Sequence, residues 1–372
     1  MATVGSPRIM AKLPSRLVHN PCIKRGKIMG LRNRQWLLAR RPAGSLSEQD
    51  FEYRETPVAE PDPDAGDVLL RNLWLSFDAT QREWVKDQEG YLPPVGLGEV
   101  MRASAVAEVV RSANPALPEG SLVQGLFGWQ DYVIVRPDDA IPPSPLPAGV
   151  SPEMCLAALG GTSLTAYFGL VDIGGLAAGK TVVVSAAGGA TGSMAVQIAR
   201  LRGARVIGIA GGADKCAWVK SLGADDCIDY HQENLPERLA ALCPEGIDIA
   251  FDNVGGAQLE AMIGQLAHRG RAVLCGQIAG YDAPEAPPGP RNLMTLIYRR
   301  ARVEGFLMLD YLHRTHEAFA ELGPWLGSGE LRWHADVQEG FEHIPRTLLR
   351  LFRGENRGKQ LLRLDPPKGG PA

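Results

Sequence analysis

A short glycine-rich turn is the stretch of this sequence best suited to bind a phosphorylated ligand. It follows a β-branched apolar run at 181–184 and precedes a helical apolar pattern at 194–201. The turn reads Ala-x-Gly-x-x-Gly over Ala187, Gly189 and Gly192, a variant of the dinucleotide fingerprint G-x-G-x-x-G. Small residues let the backbone approach a pyrophosphate, and a following helix presents free N–H groups to it. The sequence therefore predicts dinucleotide binding by this turn, with Ala190 and Thr191 inside it.

Residues after the second predicted strand indicate which dinucleotide binds. NAD-binding proteins place an acidic residue there for the ribose 2′-hydroxyl, whereas this chain has Gly211 and Gly212, followed by Lys215. A missing carboxylate removes repulsion against a 2′-phosphate and a lysine adds a positive charge. The pattern favours NADP(H). Asp214 is the alternative ribose ligand, although its position fits the first turn of a helix, where negative charge suits the dipole.

Composition and charge give no sign of a membrane or nucleic-acid partner. The 372 residues are 45% hydrophobic and 22% charged, with a net charge of −3. No apolar run reaches the roughly 18 residues that a membrane helix needs, and the charge gives no general reason to expect nucleic acid. Six scattered cysteines without a Cys-x-x-Cys pair argue against a zinc cluster and a disulfide framework. We expect a cytoplasmic protein.

The order of predicted elements divides the chain into two units. Short strands and Gly/Pro turns extend from Trp36 to a Pro-rich connector at 141–147. Strands alternating with helices follow, which indicates a parallel sheet covered on both faces. We predict one unit over 29–152 with 337–372 and a second over 153–336. Residues 1–28, with six Lys/Arg and no acid, are a disordered extension, a start codon read upstream of Met29, or a targeting peptide.

Seven motifs in order resemble the zinc-free branch of the medium-chain dehydrogenase/reductase superfamily, which holds prostaglandin, plant double-bond and curcumin reductases. They are GEVMR at 98–102, LTAYFG at 164–169, AAGGATG at 186–192, GGADK at 211–215, DNVGG at 252–256, PPGP at 287–290 and GENRGK at 354–359. The resemblance covers about residues 29 to 364. It implies an α/β fold class, in which a GroES-like β-rich catalytic domain joins a Rossmann doubly wound parallel sheet. It also implies a homodimer formed through the edge strand at 303–309.

The same resemblance implies roles in cofactor binding. Lys215 and Tyr230 would meet the adenosine 2′-phosphate and its surroundings, and Asn253 would meet the nicotinamide-side ribose. Asn356 would lie near the pyrophosphate. The remaining residues would border the nicotinamide or the rest of the cofactor; they are Thr165, Phe306, Met308, Cys275 and Gly211.

The chemistry expected of this chain uses no metal. Zinc alcohol dehydrogenases of the superfamily place Cys and His ligands in the first domain, but here no Cys lies between Cys22 and Cys155 and no His between His19 and His231. A conjugated carbonyl can accept hydride without zinc, since hydride adds to the β-carbon while a donor stabilises the carbonyl oxygen. The resemblance points to Tyr298 as that donor, with the cofactor ribose hydroxyl as the alternative.

The substrate end is less well defined by the sequence. Relatives often carry a tyrosine where this chain has Thr80, which puts a preference for bulky aromatic substrates in doubt. Arg82 and Tyr281 complete the predicted pocket. The function expected is NADPH-dependent reduction of small α,β-unsaturated ketones or aldehydes. Two alternatives stay open, namely a quinone oxidoreductase-like reductase and a non-catalytic NADPH-binding protein.

Overall fold

A computed structural model describes residues 30–365 of the chain, apart from 89, 137, 138, 140, 284 and 286. The predicted basic extension at 1–28 lies outside the described residues. The strands are β1 (Arg32–Leu38), β2 (Phe51–Pro57), β3 (Val68–Ser76), β4 (Ser104–Ser112), β5 (Leu122–Leu126), β6 (Tyr132–Val135), β7 (Ser144–Pro145), β8 (Thr181–Val184), β9 (Arg205–Ala210), β10 (Asp226–Asp229), β11 (Ile247–Asp252), β12 (Leu266–Leu274), β13 (Arg302–Gly305), β14 (Ala335–Glu339) and β15 (Lys359–Arg363).

The helices complete the layers on either side of these strands. They are α1 (Gln81–Trp84), α2 (Pro152–Ala158), α3 (Gly161–Phe168), α4 (Ala190–Leu201), α5 (Ala213–Ser221), α6 (Leu235–Leu242), α7 (Gly256–Gly264), α8 (Ile278–Tyr281), α9 (Met294–Arg299), α10 (Thr315–Ser328) and α11 (Ile344–Phe352). A π-helical segment, Gly169–Ile173, continues α3, and 3₁₀ segments occupy Glu48–Asp50, Met308–Arg314 and Phe341–His343.

The first unit is built on a mixed seven-stranded sheet in the order β14-β15-β3-β4-β5-β7, with β6 also paired to β3. Strands β1 and β2 form a separate antiparallel pair. Buried side chains including Leu70, Leu75 and Trp129 form its core. The C-terminal segment returns to this sheet because α11 buries Ile344 and Leu348 in the same core.

The second unit is a six-stranded parallel sheet in the order β10-β9-β8-β11-β12-β13. Renumbered from its first strand, this order is 3-2-1-4-5-6, that of a doubly wound dinucleotide-binding fold. Helices α3, α4, α5 and α10 pack on one face and α6 and α7 on the other. Its central strands β8, β9 and β11 are mostly apolar because both faces are covered.

Helix α2 belongs by packing to the first unit. Ser151 caps it by accepting a hydrogen bond from the Met154 amide at 3.1 Å, and its residues Cys155 and Leu156 pack with Trp74 and Leu361 of the mixed sheet. The predicted boundary at 152/153 assigns α2 to the other unit. Strand β14 likewise begins at 335, two residues before the predicted return at 337.

One helical stretch of the described chain, Pro152–Ile173, is long and apolar enough to cross a membrane by composition alone. Its apolar window is 61% buried inside the protein. The stretch joins α2 and α3 and contributes Leu164, Phe168 and Leu170 to a core. Burial of its apolar residues within the fold accounts for its composition.

Candidate functional site

The glycine-rich turn joins β8 to α4 at the carboxyl edge of the parallel sheet. Ala186 adopts a left-handed backbone with φ 47°, and Gly189 forms the N-cap of α4. A Cβ on Gly192 would lie 2.2 Å from the Ala186 carbonyl oxygen, so only glycine lets the first turn of α4 pack this closely on the loop. This places the free N–H groups of α4 against open space, as an approaching pyrophosphate requires.

The turn opens into a cleft of about 1150 Å³ between the two units, called the cleft below. Gly188, Gly189, Ala190, Thr191 and Gly192 line it. Ala187 does not line it, because its side chain is fully buried and its amide donates to the Ile209 carbonyl at 3.0 Å. The predicted role of Ala187 is therefore confined to closing the turn beneath the cleft.

Lys215 marks the end of the cleft nearest β9. Its ammonium donates to the Gly354 carbonyl at 2.5 Å, and burial lowers the pKa of Lys215. Tyr230 and His231 stand beside it with ring centroids 4.3 Å apart, and a Cβ on Gly211 would lie 2.8 Å from the His231 ring. This end has lysine, phenol and imidazole groups suited to a phosphate.

Two aspartates near the end of β9, Asp214 and Asp229, could replace the ribose-binding acidic residue of NAD-binding proteins, but neither is placed to do so. Asp214 is exposed in the first turn of α5. Asp229 accepts hydrogen bonds from the amides of Gly212 at 2.9 Å and His231 at 3.1 Å, and these hold its pKa below its usual range. Among the described residues, neither aspartate lines the cleft. The arrangement fits a 2′-phosphate better than a bare ribose hydroxyl.

The C-terminal segment docks on the turn and brings Asn356 into the cleft. The Gly358 amide donates to the Gly188 carbonyl at 3.1 Å, and Asn356 Nδ2 donates to the Gly358 carbonyl at 3.0 Å. Lys359 is almost fully buried beside it, where its ammonium pairs with Asp78. A charged group this deeply buried needs such a partner, so the pair ties β15 to the loop after β3.

The middle of the cleft lies over the carboxyl ends of β11 and β12. Asn253 is fixed by donating from Nδ2 to the Ser185 carbonyl at 2.7 Å, and Thr165 donates to the Gly161 carbonyl at 2.7 Å. Phe306, Met308 and Cys275 line the same region, the last with its pKa raised by burial to about 12. These side chains form an apolar wall in which the thiol stays protonated.

The far end of the cleft carries two phenols from different units. Tyr281 lines it at the end of α8, and burial raises the pKa of its hydroxyl. Thr80 lies opposite and makes a short hydrogen bond with the Tyr91 hydroxyl. Trp84 also donates from Nε1 to Tyr91 at 3.2 Å. The ring of Tyr91 therefore lines the pocket beside Thr80.

Comparison with known proteins agrees with this geometry. A family model described as an N-terminal domain of oxidoreductase matches residues 34–142, and one described as a zinc-binding dehydrogenase matches 190–326. The NADPH-dependent curcumin reductase of Escherichia coli (strain K12) is 40% identical over 339 residues, covering 90% of this chain and 97% of that protein. The chain belongs to the medium-chain dehydrogenase/reductase family. The predicted fold class is thereby confirmed.

Other relatives place this family member in the same branch. Prostaglandin reductase 1 of Rattus norvegicus is 37% identical, covering 88% of this chain and 98% of that protein. The NADP⁺-dependent 2-alkenal reductase of Nicotiana tabacum is 34% identical, covering 89% and 97%. The crystal structure of CurA from Vibrio vulnificus in complex with NADPH has a TM-score of 0.82 at 38% identity, covering 90% of this chain and all of that one.

Two predicted site residues of this dehydrogenase/reductase chain lie outside the cleft. Tyr298 is 70% exposed on α9 and does not line the cleft. Arg82 is 4% exposed, and its guanidinium pairs with Asp282 at 2.9 Å. The first residue faces solvent and the second is committed to an ion pair, so neither contacts the cavity in which they were predicted to act.

Three further residues that line the cleft were not predicted from the sequence, namely Tyr91, Trp84 and His231. Tyr91 lies eleven positions from Thr80, and its loop has no regular pattern from which its return could be inferred. His231 had a usable signal, because it directly follows Tyr230 at the end of a strand. Neighbouring positions after β10 face the same adenosine end.

The residues do not fit a zinc centre, although one matching family model is named for zinc. A zinc site needs three or four nitrogen, sulfur or oxygen ligands that converge. Within the described part of the chain, no three His, Cys, Asp or Glu side chains cluster in this way. No step of the chemistry below is assigned to a metal.

Proposed function

We propose that this chain catalyses NADPH-dependent reduction of the carbon–carbon double bond of α,β-unsaturated ketones and aldehydes. The observation that carries the proposal is a single cleft joining a basic phosphate end to an apolar end with a partly buried phenol. The relatives named as NADPH- or NADP⁺-dependent curcumin and 2-alkenal reductases support both the cofactor and the reaction type.

The residues of the cleft fit NADPH, which when bound supplies the hydride for the substrate β-carbon. Lys215 and Tyr230 would hold the 2′-phosphate, with His231 beside them. The α4 amides and Asn356 would hold the pyrophosphate, and Asn253 would hold the adjoining ribose. The residues bordering the nicotinamide would be Thr165, Cys275, Phe306 and Met308.

Tyr281 is the proton donor that this geometry supports. As hydride adds to the β-carbon, negative charge collects on the carbonyl oxygen, and a donor aimed at that oxygen lowers the barrier. Burial raises the pKa of Tyr281 above its ordinary value of 10.0, so its phenol keeps its proton at neutral pH. We therefore assign to Tyr281 the donor role that the family resemblance had implied for Tyr298.

The substrate end supports a small, partly apolar acceptor. Leu92, Trp84 and Tyr91 line it together with Thr80. Tyr91 provides an aromatic ring beside Thr80, so the substitution at position 80 does not leave this end without one. The physiological enone or enal, the cytoplasmic location and the homodimer stay predictions.

The proposal is tested by measuring NADPH oxidation with a panel of enones, enals and one quinone. We expect turnover of the enones and enals. Tyr281→Phe should lower kcat by about 100-fold, the lower range for general acid catalysis, without weakening NADPH binding. Tyr298→Phe should retain kcat. With the wild type, kcat should fall only as the pH rises above 10.0, because the donor must be protonated.

Other outcomes would contradict specific parts of the proposal. Turnover with NADH alone would overturn the cofactor assignment, and faster reduction of the quinone than of any enone would favour a quinone reductase. Tight NADPH binding without any turnover would indicate a non-catalytic NADPH-binding protein. Loss of kcat in Tyr298→Phe but not in Tyr281→Phe would return the donor role to Tyr298.

A further inference from the structure

Asp282 is a convergence point for contacts between the two units. Its Oδ1 accepts from Arg82 Nε at 2.9 Å and from the Leu46 amide at 2.6 Å. Its backbone carbonyl accepts from Ser45 Oγ at 3.2 Å. Arg82 is held in turn by donating from Nη2 to the Gly44 carbonyl at 2.8 Å. Three of these contacts therefore join one loop and one short helix of the first unit to a residue beyond β12.

The position of Asp282 gives these contacts their importance. It directly follows Tyr281, the C-terminal residue of the four-residue helix α8. The start of α8 is held by amide donation from Ile278 to the Asn253 carbonyl at 3.2 Å. The helix has only four residues, and the three contacts of Asp282 tie its Tyr281 end to the first unit.

The ion pair is strongly constrained by its burial. The Arg82 and Asp282 side chains are 5% and 18% exposed, so neither charge can be exchanged for water without cost. Arg82 Nη1 is buried without a hydrogen-bond partner among the described atoms, which leaves Asp282 as the carboxylate that balances the guanidinium. A pair of this kind favours one arrangement of the two chain segments.

We propose that Arg82 and Asp282 form a positioning latch that holds the Tyr281 hydroxyl at the substrate end of the cleft. Neither latch residue lines the cleft, so they act through Tyr281 and touch no substrate. The latch rests on the donor role proposed above for Tyr281. Because a donor displaced by about 1 Å loses much of its effect, breaking the latch lowers kcat.

The latch is tested with a cycle of three variants: Asp282→Ala, Tyr281→Phe and the double variant. We expect Asp282→Ala to lower kcat about 10-fold or more while the Kd for NADPH, measured by fluorescence titration, stays unchanged. In the Tyr281→Phe background the same change should have little further effect on kcat. A residue with a purely structural role would lower kcat equally in both backgrounds.

Two further variants separate positioning from general destabilisation. Glu108→Ala breaks another largely buried pair, formed with Arg71 at 2.7 Å away from the cleft, and should lower Tm without changing kcat. Asp282→Asn is the substitute if Asp282→Ala does not fold. It keeps an oxygen for the Leu46 amide but removes the charge, so it should fold and still show a lower kcat.

Each outcome distinguishes the latch from the proposed function. If Tyr281→Phe is fully active, the donor assignment fails. If Tyr281→Phe is impaired while Asp282→Ala and Asp282→Asn retain wild-type kcat, the donor stands and the latch is overturned. Equal, additive losses in both backgrounds would also overturn the latch.

Discussion

Burial changes the proton affinity of two cleft residues in opposite directions. It raises the pKa of the Tyr281 phenol, which preserves the proton that a donor must supply. Burial lowers the pKa of the Lys215 ammonium because it disfavours the charged form. A bound anion would stabilise that positive charge. One physical cause therefore suits one residue to donation and the other to phosphate binding.

Lys215→Met should weaken NADPH binding by about 10- to 100-fold, the effect of losing one hydrogen bond to a charged group. Binding of NADH should change little, since it has no 2′-phosphate. Lys220→Met on the same helix is the control, because Lys220 is exposed and pairs with Asp226 at 2.9 Å. Isothermal titration with both cofactors measures the difference, and an equal loss for NADH would contradict the role of Lys215.

At the scale of elements, the cofactor site is formed by the junction of β8 and α4. The strand buries Val182, Val183 and Val184 completely, which fixes where the turn begins. The close approach at Gly192 fixes where the helix begins. The turn has little freedom between these two points, so its amides are held in place before the cofactor binds.

Gly192→Ala should abolish NADPH binding and lower Tm. Its Cβ would lie 2.2 Å from the Ala186 oxygen, and backbone must move to relieve that contact. Gly327→Ala is the matched control, because a Cβ there meets no atom within 4 Å inside α10. This variant should bind NADPH normally, and its free energy of unfolding should rise by about 0.5–1 kcal/mol. Fluorescence titration and thermal denaturation test both, and normal binding by Gly192→Ala would refute the geometry.

At the scale of the whole molecule, the two edges of the parallel sheet differ. The β10 edge buries Cys227 and Ile228, whereas β13 has an intermediate Val303 between exposed Arg302 and Glu304. Beside β13, α9 exposes Ile297. A strand with unpaired N–H and C=O groups next to exposed apolar side chains is suited to pair with another chain. This supports the predicted homodimer through the β13 edge.

The homodimer prediction has a specific test in the charges of β13. In an antiparallel pair centred on Val303, Arg302 would lie opposite the partner's Glu304, so Arg302→Glu should weaken the dimer by like-charge repulsion. Adding Glu304→Arg reverses both charges and should restore it. Light scattering should give twice the 40.0 kDa chain mass for the wild type and the double variant. A wild-type monomer would contradict the dimer.

Local patterns were sufficient to predict much of the fold and several of the residues that line one end of the cleft. The strand, turn and helix at 181–201 depend on residues that are close together in the chain, so their pattern could be recognised. The structure has β8 and α4 there. Lys215 was predicted because it follows the glycine pair after β9, and Tyr230 because the family resemblance points to it; both line the cleft. The packing of α2 against the mixed sheet was not predicted, because the sequence of the helix does not indicate which sheet it contacts.

The sequence by itself determined the family, the order of the strands and the chemical types available for the cofactor. Tertiary structure alone decided that Tyr298 faces solvent and that the Arg82 guanidinium is engaged in an ion pair. The sequence predicted Tyr281 at the pocket and Tyr298 as the donor, and the two lie seventeen positions apart in similar short helices. Nothing local shows which of them the fold exposes to solvent. The partner of Arg82 in that pair, Asp282, lies two hundred residues away along the chain. Contacts at such separations depend on how the two units pack, and sequence periodicity carries no record of that packing.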